Sequence, residues 1–409
     1  MLSPAEINEL RKDFPIFYQS FYKKPSIYLD NASTTQKPIK VIHAIDSYYR
    51  AFNANVHRGI HYIGQLATNA MEESRDYICK YINASNSEEI IFTKGTTESI
   101  NLLASSIIDF VDNGDEIILS EMEHHSNIVP WQLLSLRKKI HIKFIPIDEN
   151  ACLNLHSFEK LLNCRTKFVA INHISNVLGI INPIKKIIEM AHSKGAWVFI
   201  DGGQALCHTK VDVRELNVDF YAFSAHKMYG PTGVGVLYGK RKFLKKFLPW
   251  QGGGEMIKEV SFERTLYAEL PFKLEAGSPN ISGIIAWKSA LKFLEEIGIE
   301  RIQTYEKYCI NEVSKELKRN HNILLYAKDA PRASIIAFNL LGIHSFDVGC
   351  ILDRMGIFVR TGHHCAQPLM HALNEVGVIR ASFAVYNTLN EAEQFCKAII
   401  KAYKILYGT

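Results

Sequence analysis

None of the eight cysteines belongs to a C-x-x-C pair, which argues against a zinc ribbon or a thioredoxin-type motif. Charge of one sign is scarce: the formal net charge is +5 over 409 residues, with 22% charged residues. No dense Lys/Arg stripe with interleaved aromatics occurs, so nucleic acid is not the expected partner. The most basic stretch, Lys240, Arg241, Lys242, Lys245 and Lys246, reads as a solvated helix face. Met1 to Phe14 contains no hydrophobic stretch for a secretory or membrane segment. Instead Ser3, Pro4 and Glu6 form a capping-box pattern that opens a helix. Internal repeats and low-complexity tracts are also missing. A cytoplasmic location is expected, with most cysteines as free thiols in the core.

What is there is apolar sequence in short, regular pieces. With 47% hydrophobic residues, the chain can bury more core than one compact domain needs. Seven runs rich in β-branched and aromatic residues read as strands: Glu89 to Phe92, Glu116 to Leu119, Ile140 to Ile145, Phe168 to Ile171, Trp197 to Ile200, Phe220 to Phe223 and Val234 to Tyr238. Helical patterns lie between them, such as Thr97 to Phe110 and Ile184 to Lys194, the latter closed by Gly195. The alternation predicts an α/β fold whose mainly parallel sheet is covered on both faces. From about Pro279 the pattern changes. One long helical stretch, Gly283 to Lys318, precedes strands at Ser334 to Asn339 and Ile357 to Arg360 and a final helix. The expected division is a large domain over 26–282 and a smaller α+β domain over 1–25 and 283–409. The segment from Gln251 through three glycines to Ile257, and the polar residues after it, read as a surface loop.

Ligands of such sheets sit at the carboxyl ends of the strands, so the polar residues there matter most. Asp201 ends one strand and is followed by Gly202 and Gly203. Alone, an Asp after a strand is more often a turn residue or helix cap. Lys227 follows the next strand and precedes a glycine-rich turn. A lysine desolvated there has a lowered pKa and a usable amine. Asp and Lys at adjacent strand ends meet the needs of pyridoxal phosphate: an amine for a Schiff base and a carboxylate for the pyridinium nitrogen. Lys94-Gly-Thr-Thr-Glu98 opens a helix after a strand and offers an anion site for the phosphate. Glu123-His124-His125 offers a flat imidazole, or simply a loop.

Taken together, Asp201-Gly-Gly-Gln204, Ser224-Ala-His-Lys227 and Gly95-Thr-Thr97 resemble the class V branch of fold-type I pyridoxal-phosphate enzymes. Arg360-Thr-Gly-His-His-Cys365 narrows the resemblance to the SUF-type cysteine desulfurases. His57-Arg-Gly-Ile-His61, Met122 to Trp131, Glu275 to Asn280 and Arg380-Ala-Ser382 point the same way. The resemblance covers essentially the whole chain from about Tyr28. It implies a seven-stranded sheet between helices and a homodimer. It implies that Lys227 carries pyridoxal 5'-phosphate, Asp201 pairs with the ring nitrogen and Gln204 with the ring hydroxyl, and His124 stacks on the ring. The same resemblance implies that Thr96, Ser224 and His226 bind the phosphate and that Ser278 reaches the phosphate of the partner subunit. It implies that Asn176 and Arg380 hold the substrate carboxylate and that Arg360 and His57 line the same pocket.

The implied reaction converts L-cysteine to L-alanine and leaves a persulfide on Cys365, for iron–sulfur cluster assembly. Selenocysteine lyase activity is implied as a companion. A cysteine attacks as thiolate, and a free thiol titrates near 8.5. Arg360, His363 and His364 therefore read as a positive environment for Cys365. The other seven cysteines are expected to be buried and structural, Cys350 and Cys396 among them. A metal site at His363, His364 and Cys365 is not expected, because the spacing is too tight. The short segment from Arg360 to Pro368 suggests a persulfide kept in the pocket and collected by a SUF-type acceptor protein. Ser278 and Ser33 stand where many relatives have threonine and alanine; little effect is expected of Ser33. An aminotransferase of the same fold is the alternative, since it shares Asp201 and Lys227 but has no use for Cys365.

Overall fold

A computed structural model describes residues 1–23 and 25–408. Seven strands form its main sheet: β1 (Ile90–Thr93), β2 (Glu116–Ser120), β3 (His141–Ile145), β4 (Thr166–Asn172), β5 (Trp197–Asp201), β6 (Phe220–Ser224) and β7 (Gly235–Gly239). Each lies within two residues of a run read from the sequence. The spatial order is β1-β7-β6-β5-β4-β2-β3. Strand β7 runs antiparallel to both neighbours, and all other pairs are parallel.

The sheet separates two apolar cores, and the alternation of each strand explains why. Val198 and Ile200 face one core with Ile118, Val169 and Phe223, whereas Phe199 faces the other with Ile117, Phe168 and Phe220. Both faces are covered, so these strands read as unbroken hydrophobic runs. The edge strand β3 is mostly open to solvent and carries His141 and Lys143, which discourage further pairing. One glycine of β7 is required by close approach. A Cβ on Gly235 would lie 2.4 Å from the Gly95 Cα, so β7 can pass under the Gly95 turn only without a side chain.

A second, antiparallel sheet contains β8 (Ile323–Leu325), β9 (Ile335–Leu340), β10 (Arg360–Gly362) and β11 (Val378–Ser382), in the order β8-β9-β11-β10. It packs on a third core that includes Ile310, Val348 and Phe395. The sequence pattern picks out neither strand β8 nor strand β11. The long helical stretch is two helices, Ile281–Ile297 and Ile299–Lys318. They break at Gly298, whose φ of +88° no β-carbon residue adopts comfortably. The segment read as a surface loop contains a hairpin, Ile257–Val260 with Thr265–Tyr267, which exposes Phe262 at its turn.

The first helix, Pro4–Lys12, has the expected capping box of Ser3 and Glu6. Arg11 in its last turn donates to the Tyr386 carbonyl at 2.8 Å and pairs with Glu391 at 2.9 Å. Among the described residues, no helix is long and apolar enough to cross a membrane.

Candidate active site

The carboxyl ends of β2, β4, β5 and β6, together with the turn after β1, open on a cavity of about 770 Å³. Thr96, His124, Asn176, Asp201, Gln204, Ser224, His226, Lys227, Arg360, Cys365 and Arg380 all line it. Eleven of the thirteen residues singled out from the sequence therefore meet at one place. Ser278 lines a neighbouring cavity beside Gly277 and Asn280. His57 is elsewhere in the chain: its Nε2 meets Glu72 at 2.9 Å and its ring packs edge-on against Phe272.

Asp201 ends β5 buried, and its Oδ1 accepts from the Gly203 N–H at 2.9 Å. Burial pushes its carboxyl above the ordinary value, against the pull of that bond and of Lys227. Burial likewise lowers Lys227, and Asp201 offsets this only in part. Each ion thus loses more to desolvation than it gains from the other. A lysine in that state supplies a neutral amine more readily than one in water.

The anion end is built from hydroxyls and a helix start. Ser224 Oγ accepts from the Thr96 N–H at 2.8 Å and lies 2.7 Å from Thr96 Oγ1, at the first turn of the helix Thr96–Ser106. Burial, then the charges of Lys227 and Lys37, hold His226 at about 4. A β-carbon placed on Gly203 would fall 3.0 Å from Asp201 Oδ1, 3.5 Å from Thr96 Oγ1 and 3.7 Å from Lys227 Nζ. Carboxylate, hydroxyl and amine therefore converge on one bare stretch of backbone, open to a flat ring bearing an anionic group. The residues present fit pyridoxal phosphate. Gln204 donates from Nε2 to the Ala32 carbonyl at 2.6 Å, which fixes the plane of its amide.

His124 Nδ1 accepts from the Ser126 N–H at 3.0 Å, so its Nε2 is the protonated nitrogen. Burial, then Lys227, holds this imidazole at about 3, and it stays neutral. Glu123 beside it is fully buried, receives bonds from Ser120, Asn127 and Asn172, and is pushed up to about 7 chiefly by burial.

At the opposite wall, Arg380 is buried and bound on three sides. It donates to the Asn176 carbonyl at 2.8 Å, to Asp30 Oδ1 at 2.9 Å and to Ser33 Oγ at 2.6 Å. Among the described residues, its buried Nε has no hydrogen-bond partner. Arg360 also pairs with Asp30, at 3.0 Å. Asp30 was missed in the sequence, although its place directly after the strand-like Ile27 to Leu29 was the available signal. Ser33, of which the sequence predicts little effect, has a role here. Its hydroxyl in fact links Arg380 to Asp30, to which it donates at 2.6 Å.

Cys365 is exposed at the mouth of this cavity. Its φ of +55° follows a φ of +51° at His364. Each such left-handed residue is disfavoured by roughly 1–2 kcal/mol. Hydrogen bonds hold the segment in place. Asn176 Nδ2 donates to the His364 carbonyl at 2.9 Å, and the Cys365 N–H donates to His363 Nδ1 at 3.0 Å. The expectation that His364 lends Cys365 positive charge is not met. Its ring is buried, donates from Nε2 to the Val378 carbonyl at 2.9 Å, and is held at about 3 mainly by burial. Cys350 and Cys164 are exposed rather than buried, Cys350 on the outer side of the helix Ser345–Arg354; Cys79, Cys207, Cys309 and Cys396 are buried as expected.

The chain belongs to the aminotransferase class-V family, whose model matches residues 27–395. Within that family its relatives are cysteine desulfurases. One from Wigglesworthia glossinidia brevipalpis is 46% identical over 403 residues, covering 98% of each chain. Among solved structures, the cysteine desulfurase CsdA from Escherichia coli superposes with a TM-score of 0.91 at 35% identity over 99% of both chains. The apo cysteine desulfurase from Thermococcus onnurineus NA1 gives 0.92 at 38% identity, again over 99% of both chains. Family and relatives alike imply pyridoxal phosphate as the cofactor.

Proposed function

We propose that this chain removes sulfur from L-cysteine, releases L-alanine, and keeps the sulfur as a persulfide on Cys365. The observation that carries this reading is the presence of Lys227, Asp201, Arg380 and Cys365 on the walls of one cavity. Lys227 and Asp201 would hold the cofactor ring, His124 its face, Gln204 its hydroxyl, and Thr96, Ser224 and His226 its phosphate. Bound there, pyridoxal phosphate supplies an electron sink for bond breaking at the substrate's α-carbon. Arg380 and Asn176 orient the substrate carboxylate, and Arg360 stands beside them through Asp30. Lys227 Nζ, its pKa lowered by burial, takes the α-proton. The Cys365 thiolate attacks the substrate sulfur. The S–S bond forms as the Cβ–S bond breaks, and the carbon keeps the bonding pair. With a proton from a cavity group, that carbon becomes the methyl group of alanine. That proton balances the one Cys365 released on ionising, Lys227 returns its own to the α-carbon, and neutral His124 lines the same space.

The same reading includes a homodimer in which Ser278 acts at the partner subunit's cavity, since it lines a neighbouring cavity in its own chain. It includes a cytoplasmic location and a SUF-type acceptor that collects the sulfur for iron–sulfur cluster assembly. L-Selenocysteine is a second substrate, because selenium leaves by the same route. The division into 26–282 and 1–25 with 283–409 belongs to it as well.

The test is alanine released from L-cysteine, with cofactor and a reductant, by the wild type and by Cys365→Ala. Alanine formation that collapses in the variant while cofactor binding survives supports the reading. Equal activity in both proteins removes Cys365 from the reaction.

A further inference from the structure

Two histidines follow Glu123, and only the first faces the cofactor end of the cavity. The second, His125, points at the Cys365 segment and meets it twice. Its backbone N–H donates to the Cys365 carbonyl at 2.7 Å. Its ring Nε2 accepts from the Gln367 N–H at 3.1 Å. These bonds bracket Cys365 on its C-terminal side. The N-terminal side is held by Asn176, which takes the His364 carbonyl at 2.9 Å. His363 completes the group: its Nδ1 accepts from the Cys365 N–H, and its ring lies 5.6 Å from that of His125.

The Cys365 backbone requires such bracing. Two successive residues with β-carbons are left-handed here, a conformation that persists only when the surroundings impose it. Gln367 is also the first residue of the helix Gln367–Ala372, and its N–H has no partner within that helix. The His125 ring supplies the missing acceptor. It can do so only while Nε2 is unprotonated, and burial, then His363, holds His125 below the usual histidine range.

We propose that His125 is a positioning residue for the reaction: its ring nitrogen pins the Cys365 turn to the loop that carries His124. This rests on the reading of Cys365 as the sulfur acceptor. The distance between the thiol and the bound substrate is then set by one rigid loop. His124 fixes the cofactor side and His125 fixes the thiol side.

The experiment uses the holoenzyme with L-cysteine and follows persulfide on Cys365 by mass spectrometry in a single turnover. It also follows amide hydrogen exchange across residues 362–368. His125→Ala is expected to slow persulfide formation by about tenfold to a hundredfold, the range that a misplacement near 1 Å produces. The L-cysteine concentration for half-maximal rate stays as in the wild type, and exchange at Gln367 rises. His125→Gln places an amide oxygen at the same reach and is expected to recover most of the rate. His125→Asn falls short of Gln367 and should resemble His125→Ala, which keeps the test open if the alanine variant does not fold. Wild-type persulfide rates in both His125→Ala and His125→Asn overturn the proposal. So does failure of His125→Gln to recover any rate. If Cys365→Ala forms alanine as fast as the wild type, the reading beneath it fails first.

Discussion

Arg380 and Asn176 form one unit: the guanidinium Nη1 donates to the Asn176 carbonyl at 2.8 Å, and the Asn176 amide reaches on to the His364 carbonyl at 2.9 Å. The group proposed to hold the substrate carboxylate is thereby tied to the turn that carries Cys365. Arg380→Lys keeps the charge and removes the planar fork. It cannot keep the bonds to Asn176, Asp30 and Ser33 together. KM for L-cysteine should rise by about tenfold to a hundredfold, as expected for losing about 1.5–3 kcal/mol of charged hydrogen bonding. Cofactor affinity should be unchanged. Steady-state kinetics with a parallel cofactor titration checks both; an unaltered KM would remove Arg380 from substrate binding.

Lys227→Ala removes the amine and leaves Asp201 buried without its cation. Covalent attachment of the cofactor should end. After borohydride treatment, intact-mass analysis should show an adduct on the wild-type chain and none on the variant. Alanine formation should fall by about a thousandfold, within the usual range for losing a positioned base. An adduct on the variant would move the attachment site to another lysine, and Lys37 is the first to check, being half-buried and pushed down to about 7 by desolvation.

These expectations started from the sequence, and the reasons they were legible there are physical. A strand buried on both faces writes itself as a short apolar run, so β2, β4, β5, β6 and β7 could be located before any coordinates. A polar residue directly after such a run is at the ligand-binding edge, which is how Asp201 and Lys227 were found. What could not be read depends on contacts between distant parts. Asp30 bridges Arg360 and Arg380, 330 and 350 residues away in the chain, and no local pattern announces that. Strand β8 is three residues long and half exposed, so its composition does not distinguish it from a loop. The exposure of Cys350 follows from the angular position of one residue on a short helix, and its apolar neighbours in sequence point the other way. His364 looked like a charge beside Cys365 because they are adjacent; folding turned the ring into the interior.

His208 and Glu306 form a buried pair at 2.6 Å, with Ser334 Oγ donating to Glu306 at 3.1 Å. Burial opposes the imidazolium, yet Cys207 and Glu306 carry His208 well above its ordinary value. Its folded pKa is raised, so this stability is complete below the unfolded value near 6.5 and fades as pH rises through the folded one. Glu306→Gln should lower unfolding free energy by about 3 kcal/mol at pH 6, the scale for breaking a buried pair. Urea denaturation across pH should show the difference between the two proteins narrowing as the solution becomes alkaline. A constant difference would mean that His208 is neutral throughout.

Arg75 is fully buried between Glu72, at 2.8 Å, and Glu275, at 2.6 Å. Glu275 also accepts from the Phe92 N–H at 2.6 Å, so Arg75 and β1 together anchor the segment that carries Ser278. Arg75→Met fills similar space but leaves the Glu275 carboxylate buried without its cation. The cost should be about 3–5 kcal/mol at pH 7, read as a lower urea midpoint with unchanged slope. The sign of its pH dependence is opposite to that of the His208 pair. Burial alone would raise Glu72, but the bonds and charges of His57 and Arg75 hold it at about 2. A depressed carboxyl stabilises above its unfolded value of 4.5 and loses that contribution as pH falls toward 2. The gap between Arg75→Met and the wild type should therefore shrink on acidification through that window. If it stays constant down to pH 3, Glu72 draws its stability from His57 alone, and Arg75 serves only Glu275.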